Sequence, residues 1–308
     1  MDAVVIAGGI PQPQDPLYRY SQGNAKALID IAGKPMVQWV IDALAGAHTV
    51  DRIVIIGVTD KSGLSCRKPL VHVSSEGRML ANIQAGTAQV LKLNPKAEFI
   101  LFVTSDIPAL TGPMVDWAVS TALQSNHDIY YTVIPRQTML SRFPTAGRTF
   151  VQLKDLQACG GDMHVARVAV VGKNSAFWDR LIESRKNPAA QASLLGFDIV
   201  FRFLFRQLTA EDVIRRVAER LGLRGRALIS PFAEIGMDVD KPHQLEMMRA
   251  HLAGRSRPRR STSPTRGKRA AKRRGVARRL APRAQSASAR RRKAGPKPAA
   301  ARRRSRKK

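Results

Sequence analysis

The residues of this chain that could do chemistry fall into a few short clusters. Ala7-Gly8-Gly9 follows directly on an apolar run, and glycines in that position let backbone N–H groups approach and point at phosphate oxygens. Alone, the same three residues fit a tight turn equally well, and no second glycine group follows at the spacing of a Walker A or GxGxxG loop. Lys26 can neutralise anionic oxygens or stand as a solvated loop lysine. Asp106, within Val103-Thr104-Ser105-Asp106-Ile107-Pro108, closes a strongly apolar run. A carboxylate there is costly to bury unless a cation or donors meet it, which points to metal binding, with a turn aspartate before Pro108 as the alternative. Asp238 and Asp240 form a second acidic strand end just before Pro242, where Asp240 can cap the helix that follows, a role that does not exclude others. Cys159-Gly160-Gly161-Asp162-Met163-His164 adds a carboxylate and an imidazole in a glycine-containing loop. A glycine turn, a lysine and two acidic strand ends far apart in sequence make a specific combination; no single cluster does.

The elements needed to position these groups can be read from periodicity. Short, continuous, β-branched runs at 3–7, 52–58, 98–104, 129–134 and 165–171 have the length of buried strands. Between them lie helical patterns. Pro35 stands at a first helical position ahead of Met36, Val37, Val40, Ile41 and Leu44, which share one face. Residues 82–91 and 113–123 form two more candidates, Thr209 with Asp212 resembles a capping arrangement before Val213, Ile214, Val217 and Leu221, and Pro242 opens a last helix through residue 252. This alternation predicts an α/β fold, a Rossmann-like, mostly parallel sheet flanked by helices. In such folds ligands bind at the carboxyl ends of the strands, here the loops at Gly8–Gly9 and 105–108.

Composition bounds the rest. Of the 52 Lys and Arg residues, 24 fall in 255–308, where there is no acidic residue, so the formal charge of +29 belongs mostly to that segment. The preceding chain is only mildly basic and 44% of the whole is hydrophobic, enough for one well-buried domain. A folded domain is expected over 1–253 and a disordered Lys/Arg-rich tail over 254–308, whose Arg, Lys, Ala, Ser and Pro cannot offset ordering entropy by burial. That tail should attract nucleic acid non-specifically through counterion release, and it lacks aromatic residues for stacking. The first residues run into a glycine pair without a basic leader, and the apolar stretch 194–205 is interrupted by Asp198 and Arg202, well short of the roughly 20 residues of a membrane helix. With Cys66 and Cys159 as the only cysteines, at neither zinc nor CxxC spacing, a soluble, cytoplasmic protein with no membrane partner is expected.

The segment Lys26-Ala27-Leu28-Ile29-Asp30-Ile31-Ala32-Gly33-Lys34-Pro35-Met36, preceded by the glycine pair and followed by a helix, resembles the K-x-L-x-x-x-x-G-x-P-M pattern of the MobA-like nucleotidyltransferases, relatives of the sugar-phosphate and cytidylyl transferases. The resemblance implies a nucleotide-diphospho-sugar transferase type of fold and Mg²⁺-dependent transfer of a nucleotidyl group from an NTP to a small phosphorylated acceptor, releasing pyrophosphate. It places Ala7, Gly8, Gly9 and Lys26 on the triphosphate, and Asp106, which resembles the family's Asp-x-Pro site, with Asp240 on the metal. Gly77 and Asn82, in a segment similar to G-x4-[SN]-x3-G, fall on the base and ribose, and Asp162 and His164 lie where relatives bind the acceptor. Family members follow the glycines with a compact G-x-R turn. This chain instead has residues 10–19, rich in proline, and Arg19 is the candidate to replace that arginine. Other readings are a nucleic-acid-associated protein with an inactive transferase-like body, or a GT-A glycosyltransferase, although the segment around Asp106 is not a DxD.

Overall fold

The computed structural model describes residues 1–171, 180 and 207–256. The first strand, β1 (Asp2–Ile6), is apolar from Ala3 to Ile6 because both of its faces are covered. After it come α1 (Tyr18–Ser21), the small hairpin β2 (Asp30–Ile31) and β3 (Lys34–Pro35), α2 (Met36–Gly46), β4 (Arg52–Ile56) and β5 (Leu70–Val73). Next are α3 (Met79–Leu93), β6 (Phe99–Thr104), α4 (Gly112–Ala122), β7 (Ile129–Pro135) and α5 (Arg136–Arg142). Beyond these lie β8 (Val151–Gln152), β9 (Gln157–Gly160), β10 (Met163–Arg167), α6 (Ala210–Arg220), β11 (Gly225–Ile229) and α7 (Pro242–Ser256). Among the described residues no helix is long and apolar enough to cross a membrane.

The described strands form a nine-stranded sheet in the order β5-β4-β1-β6-β10-β7-β9-β8, with β11 added to β7. β1 pairs in parallel with β4 on one side and β6 on the other, and β4 with β5. Strand order therefore reverses direction at β1, and the crevice beyond the carboxyl ends of β1 and β6 is the topological switch point where such sheets take ligands. Alternate residues of β1 enter different cores. Ala3 and Val5 pack with α2 and α4 residues such as Val40, Leu44, Val115 and Val119, whereas Val4 packs with Val54, Ile100 and Val90 of α3.

The flanked α/β sheet expected from the sequence is present, but its second half is mixed. β10 enters antiparallel to both β6 and β7, and β9 and β8 continue antiparallel, while β11 returns parallel to β7. The apolar run expected as a strand over 165–171 leaves the sheet at Arg167 and ends in a 3-10 turn, Val168–Val170. Pro35 sits at the N-cap of α2, one position earlier than its first-turn placement. Thr209 caps α6 with a full capping box to Asp212. The basic tail beyond Ser256 and the stretch 194–205 lie outside the described residues.

Candidate active site

The glycine loop leaves β1 packed against a neighbouring turn. The Ala7 N–H donates to Ile56 O, and at Gly57, φ +92°, a Cβ would come within 2.2 Å of the Gly8 Cα, so the two glycines permit the ends of β1 and β4 to touch. A Cβ on Gly8 would meet Ser75 Oγ, while one on Gly9 would meet nothing within 4 Å. Gly9 is thus the open member of the pair. Its carbonyl accepts the Lys26 N–H at 2.9 Å, which fixes Lys26 beside the loop. Lys26–Leu28 is a single 3-10 turn anchored by the buried Ala27, and the chain then forms the β2–β3 hairpin through Ala32 and Gly33, both at positive φ. That turn is the physical reason for glycine in the Lys26–Met36 pattern.

The side chain of Lys26 reaches both acidic strand ends. Its Nζ lies 2.7 Å from Asp106 Oδ2 and 2.5 Å from Asp240 Oδ1. Residues 106 and 240 meet because the Val239 N–H donates to the Asp106 carbonyl, while Ser105 N–H donates to Ile6 O. The start of α7 is held by Gln244, which is buried; its Oε1 accepts the N–H groups of Asp240 and Lys241 and its Nε2 donates to Ala146 O. Burial works against the Lys26 ammonium, but the Asp106 and Asp240 carboxylates outweigh it and hold the group above the ordinary lysine range. Lys26 and Asp106 are each 19% exposed and Asp240 46%, so the pair faces inward with one side open. Asp106 Oδ1 is buried and has no hydrogen-bond partner.

A second ionic cluster lies alongside. Arg148 pairs with Asp238, donates to the Gly160 carbonyl at 3.0 Å, and sits 3.7 Å from Asp162 Oδ2, in ion-pair range but too far for a hydrogen bond. Burial raises Asp162 and Asp238 above the usual carboxylate range, with the surrounding aspartates adding to the effect and Arg148 opposing it. Asp238-Val239-Asp240 does spell D-x-D, yet its two carboxylates go to different cations, Arg148 and Lys26.

Of the residues singled out from the sequence, the fold gathers Gly9, Lys26, Asp106 and Asp240, with Asp162 and Asp238 adjacent. Others are engaged elsewhere. The Arg19 guanidinium lies 4.7 Å over the Tyr20 ring and donates to its hydroxyl at 2.6 Å. Asn82 is buried, and its Oδ1 accepts the Glu76 N–H at 2.7 Å, so it holds the turn that contains Gly77. The His164 ring stacks 4.3 Å from Tyr131 and its Nδ1 accepts the Thr132 N–H; desolvation pushes its pKa down to about 4, leaving it neutral. Arg148 and Gln244 went unnoticed. The only sequence signal for Arg148 was the excess of aspartates that some cation had to meet, and for Gln244 its place in the first turn after Pro242.

Among the described residues no three His, Cys, Asp or Glu side chains are gathered to hold a metal ion. Mg²⁺ is ordinarily held by one or two carboxylates with substrate phosphates completing the shell, and the facing pair with the orphaned Asp106 Oδ1 fits that pattern.

No curated protein matches the chain. The chain is similar to the structure of a hypothetical transferase from Thermus thermophilus, at 30% identity and TM-score 0.67, covering 79% of this chain and 98% of that one. It shares its fold with a CMP:2-keto-3-deoxy-manno-octonic acid synthetase complexed with CTP, at 14% identity and TM-score 0.52, over 82% of this chain and 99% of that one. The family model for the MobA-like NTP transferase domain matches residues 3–196, a span that includes the glycine loop, Lys26 and Asp106 but not Asp240. On this match and the shared architecture, the chain belongs to the MobA-like NTP transferase family, a family of nucleotidyltransferases.

Proposed function

We propose that the cleft beyond β1 and β6 binds a nucleoside triphosphate with Mg²⁺ and transfers its nucleotidyl group to a small phosphorylated acceptor, releasing pyrophosphate. One observation carries this reading: the ammonium of Lys26 lies between Asp106 and Asp240, beside the open Gly9, at the switch point of the sheet. An acceptor phosphate oxygen would attack the α-phosphorus, forming a new P–O bond. The bond from that phosphorus to the bridging oxygen breaks, and its electron pair leaves on pyrophosphate. Such an acceptor is already anionic at neutral pH, so no general base is required. Lys26 and the loop N–H groups would neutralise charge on the triphosphate and fix it in line with the acceptor. Asp106 and Asp240 would hold Mg²⁺, which supplies further neutralisation of the phosphoryl oxygens when bound.

Asp162 and Arg148 border the cleft on the side of β9 and β10, which suits them to the acceptor end. The free thiols Cys66 and Cys159 accord with a cytoplasmic location, and the basic tail with non-specific attraction to nucleic acid. The test is pyrophosphate release from the NTP that Mg²⁺-dependent thermal stabilisation selects, assayed with Mg²⁺ and each of a panel of small phosphorylated acceptors. Asp106→Ala should abolish release with the fold intact by circular dichroism. Unchanged release in that variant would defeat the assignment.

A further inference from the structure

We propose that the Lys26 ammonium is a resident stand-in for the divalent cation, which keeps metal out of the empty cleft and gives up its place only when a triphosphate arrives. The inference rests on the reading of the cleft as an NTP and metal site, and deepens it by assigning an order of events.

The argument begins with position. Lys26 Nζ touches Asp106 at 2.7 Å and Asp240 at 2.5 Å, so the two carboxylates that face each other are already bridged by one positive charge. A divalent ion bridging the same oxygens would need the same place, and two cations cannot share it. Of the neighbouring acids, Asp238 is paired with Arg148, while Asp162 lies 3.7 Å from the same guanidinium with its buried Oδ2 lacking a hydrogen bond. What remains at the site is Asp106 Oδ1, buried and without a donor, an acceptor the ammonium leaves unsatisfied.

The lysine is suited to leaving. Its charge is a compact ammonium on a flexible four-carbon stem, whereas its backbone is fixed by the bond to Gly9 O. A triphosphate laid along the glycine loop would offer that ammonium a new anion within reach of the same Cα. The vacated carboxylates would then take the cation that accompanies the nucleotide. Metal and nucleotide affinities are therefore coupled, each raising the other by the same factor.

Equilibrium dialysis of the full chain against Mn²⁺ tests this without turnover. In the absence of nucleotide, Lys26→Met should retain Mn²⁺ about tenfold more tightly than the unmodified chain, equivalent to roughly 1.4 kcal/mol. The unmodified chain should retain it well only with the α,β-methylene analogue of an NTP, each of the four being tried. If the unmodified chain alone retains Mn²⁺ as tightly as Lys26→Met, the stand-in role is wrong while the metal site stands. If neither retains Mn²⁺ under any condition, the metal reading fails and the inference with it. Should Lys26→Met not fold, the unmodified chain still decides the matter. Without nucleotide, peptide-resolved acetylation of Lys26 by an N-hydroxysuccinimide ester must speed up when Mn²⁺ is raised until dialysis shows it retained, because the ion then displaces the ammonium, and an unchanged rate overturns the proposal.

Discussion

Arg148 shows how much of a site can rest on a residue outside the trio of Lys26, Asp106 and Asp240. Its guanidinium holds Asp238 and Gly160 O and lies near Asp162, and it is only 16% exposed. Arg148→Ala would leave aspartates partly buried without their cation and should cost about 3 kcal/mol in a urea titration. Arg148→Lys should recover only part of that, because an ammonium lacks the planar fork that meets a carboxylate and a carbonyl together. At this scale the sequence was informative wherever a residue had to be of one type for a local reason. Lys26, Asp106 and Asp240 stood at strand ends next to recognisable turns. Arg148 could not be read, since its partners lie 90 residues away at Asp238 and beyond a hairpin at Gly160. Asn82 falls on the base and ribose by resemblance alone, and its bond from the Glu76 N–H is a tie that the local sequence does not announce. His164 offers a further check. Its pKa is pushed down to about 4 in the folded chain, so the unfolded chain binds its proton first. Stability should therefore fall as pH drops from about 6.5 toward 4, and His164→Asn should remove that slope in pH-dependent urea titrations.

Between elements, single carboxylates act as ties. Asp116 of α4 accepts the N–H groups of His48 and Thr49 and the Thr49 hydroxyl, so it binds α4 to the turn from α2 into β4. Burial alone would raise its pKa, yet these hydrogen bonds take it down to about 2 from an ordinary 3.8. A depressed carboxylate stabilises the fold above its unfolded pKa and ceases to do so as pH falls through the folded one. The loss should thus lie between about pH 4 and pH 2 and amount to roughly 2 kcal/mol. Asp116→Asn should flatten stability against pH in that window, measured by urea midpoints. Thr209→Ala, which removes the capping box of α6, should cost about 1 kcal/mol. The apolar runs and caps announced most of these elements, because burial on both sheet faces and helix caps are local demands. Strand direction was not announced. The run at β10 is as apolar as a parallel strand would be, and its antiparallel course depends on its continuing from β9 without a crossover helix.

For the molecule as a whole, charge and chemistry are unevenly placed along the chain. The segment after Ser256 carries the basic excess, and the described residues end there with α7, so truncation at that point removes the tail and spares the described fold. The truncated protein should keep nucleotide turnover and lose its retention on a duplex-DNA column. Retention of the full chain should fall steeply with salt, as expected when many phosphates are neutralised. A tail-driven binder with an inactive body would lose the same retention but show no turnover in either form. The hydrogen bond from Val239 to Asp106 also has a bearing on how the protein is made. Glycine loop, lysine and first aspartate emerge from the ribosome well before the acid opposite them, since Asp240 follows Asp106 by 134 residues (240 − 106). A nascent chain, or a product of premature termination, can fold much of its sheet and still lack one jaw of the grip. Catalytic competence should accordingly switch on late and abruptly during translation, once β11 and the first turn of α7 have cleared the exit tunnel.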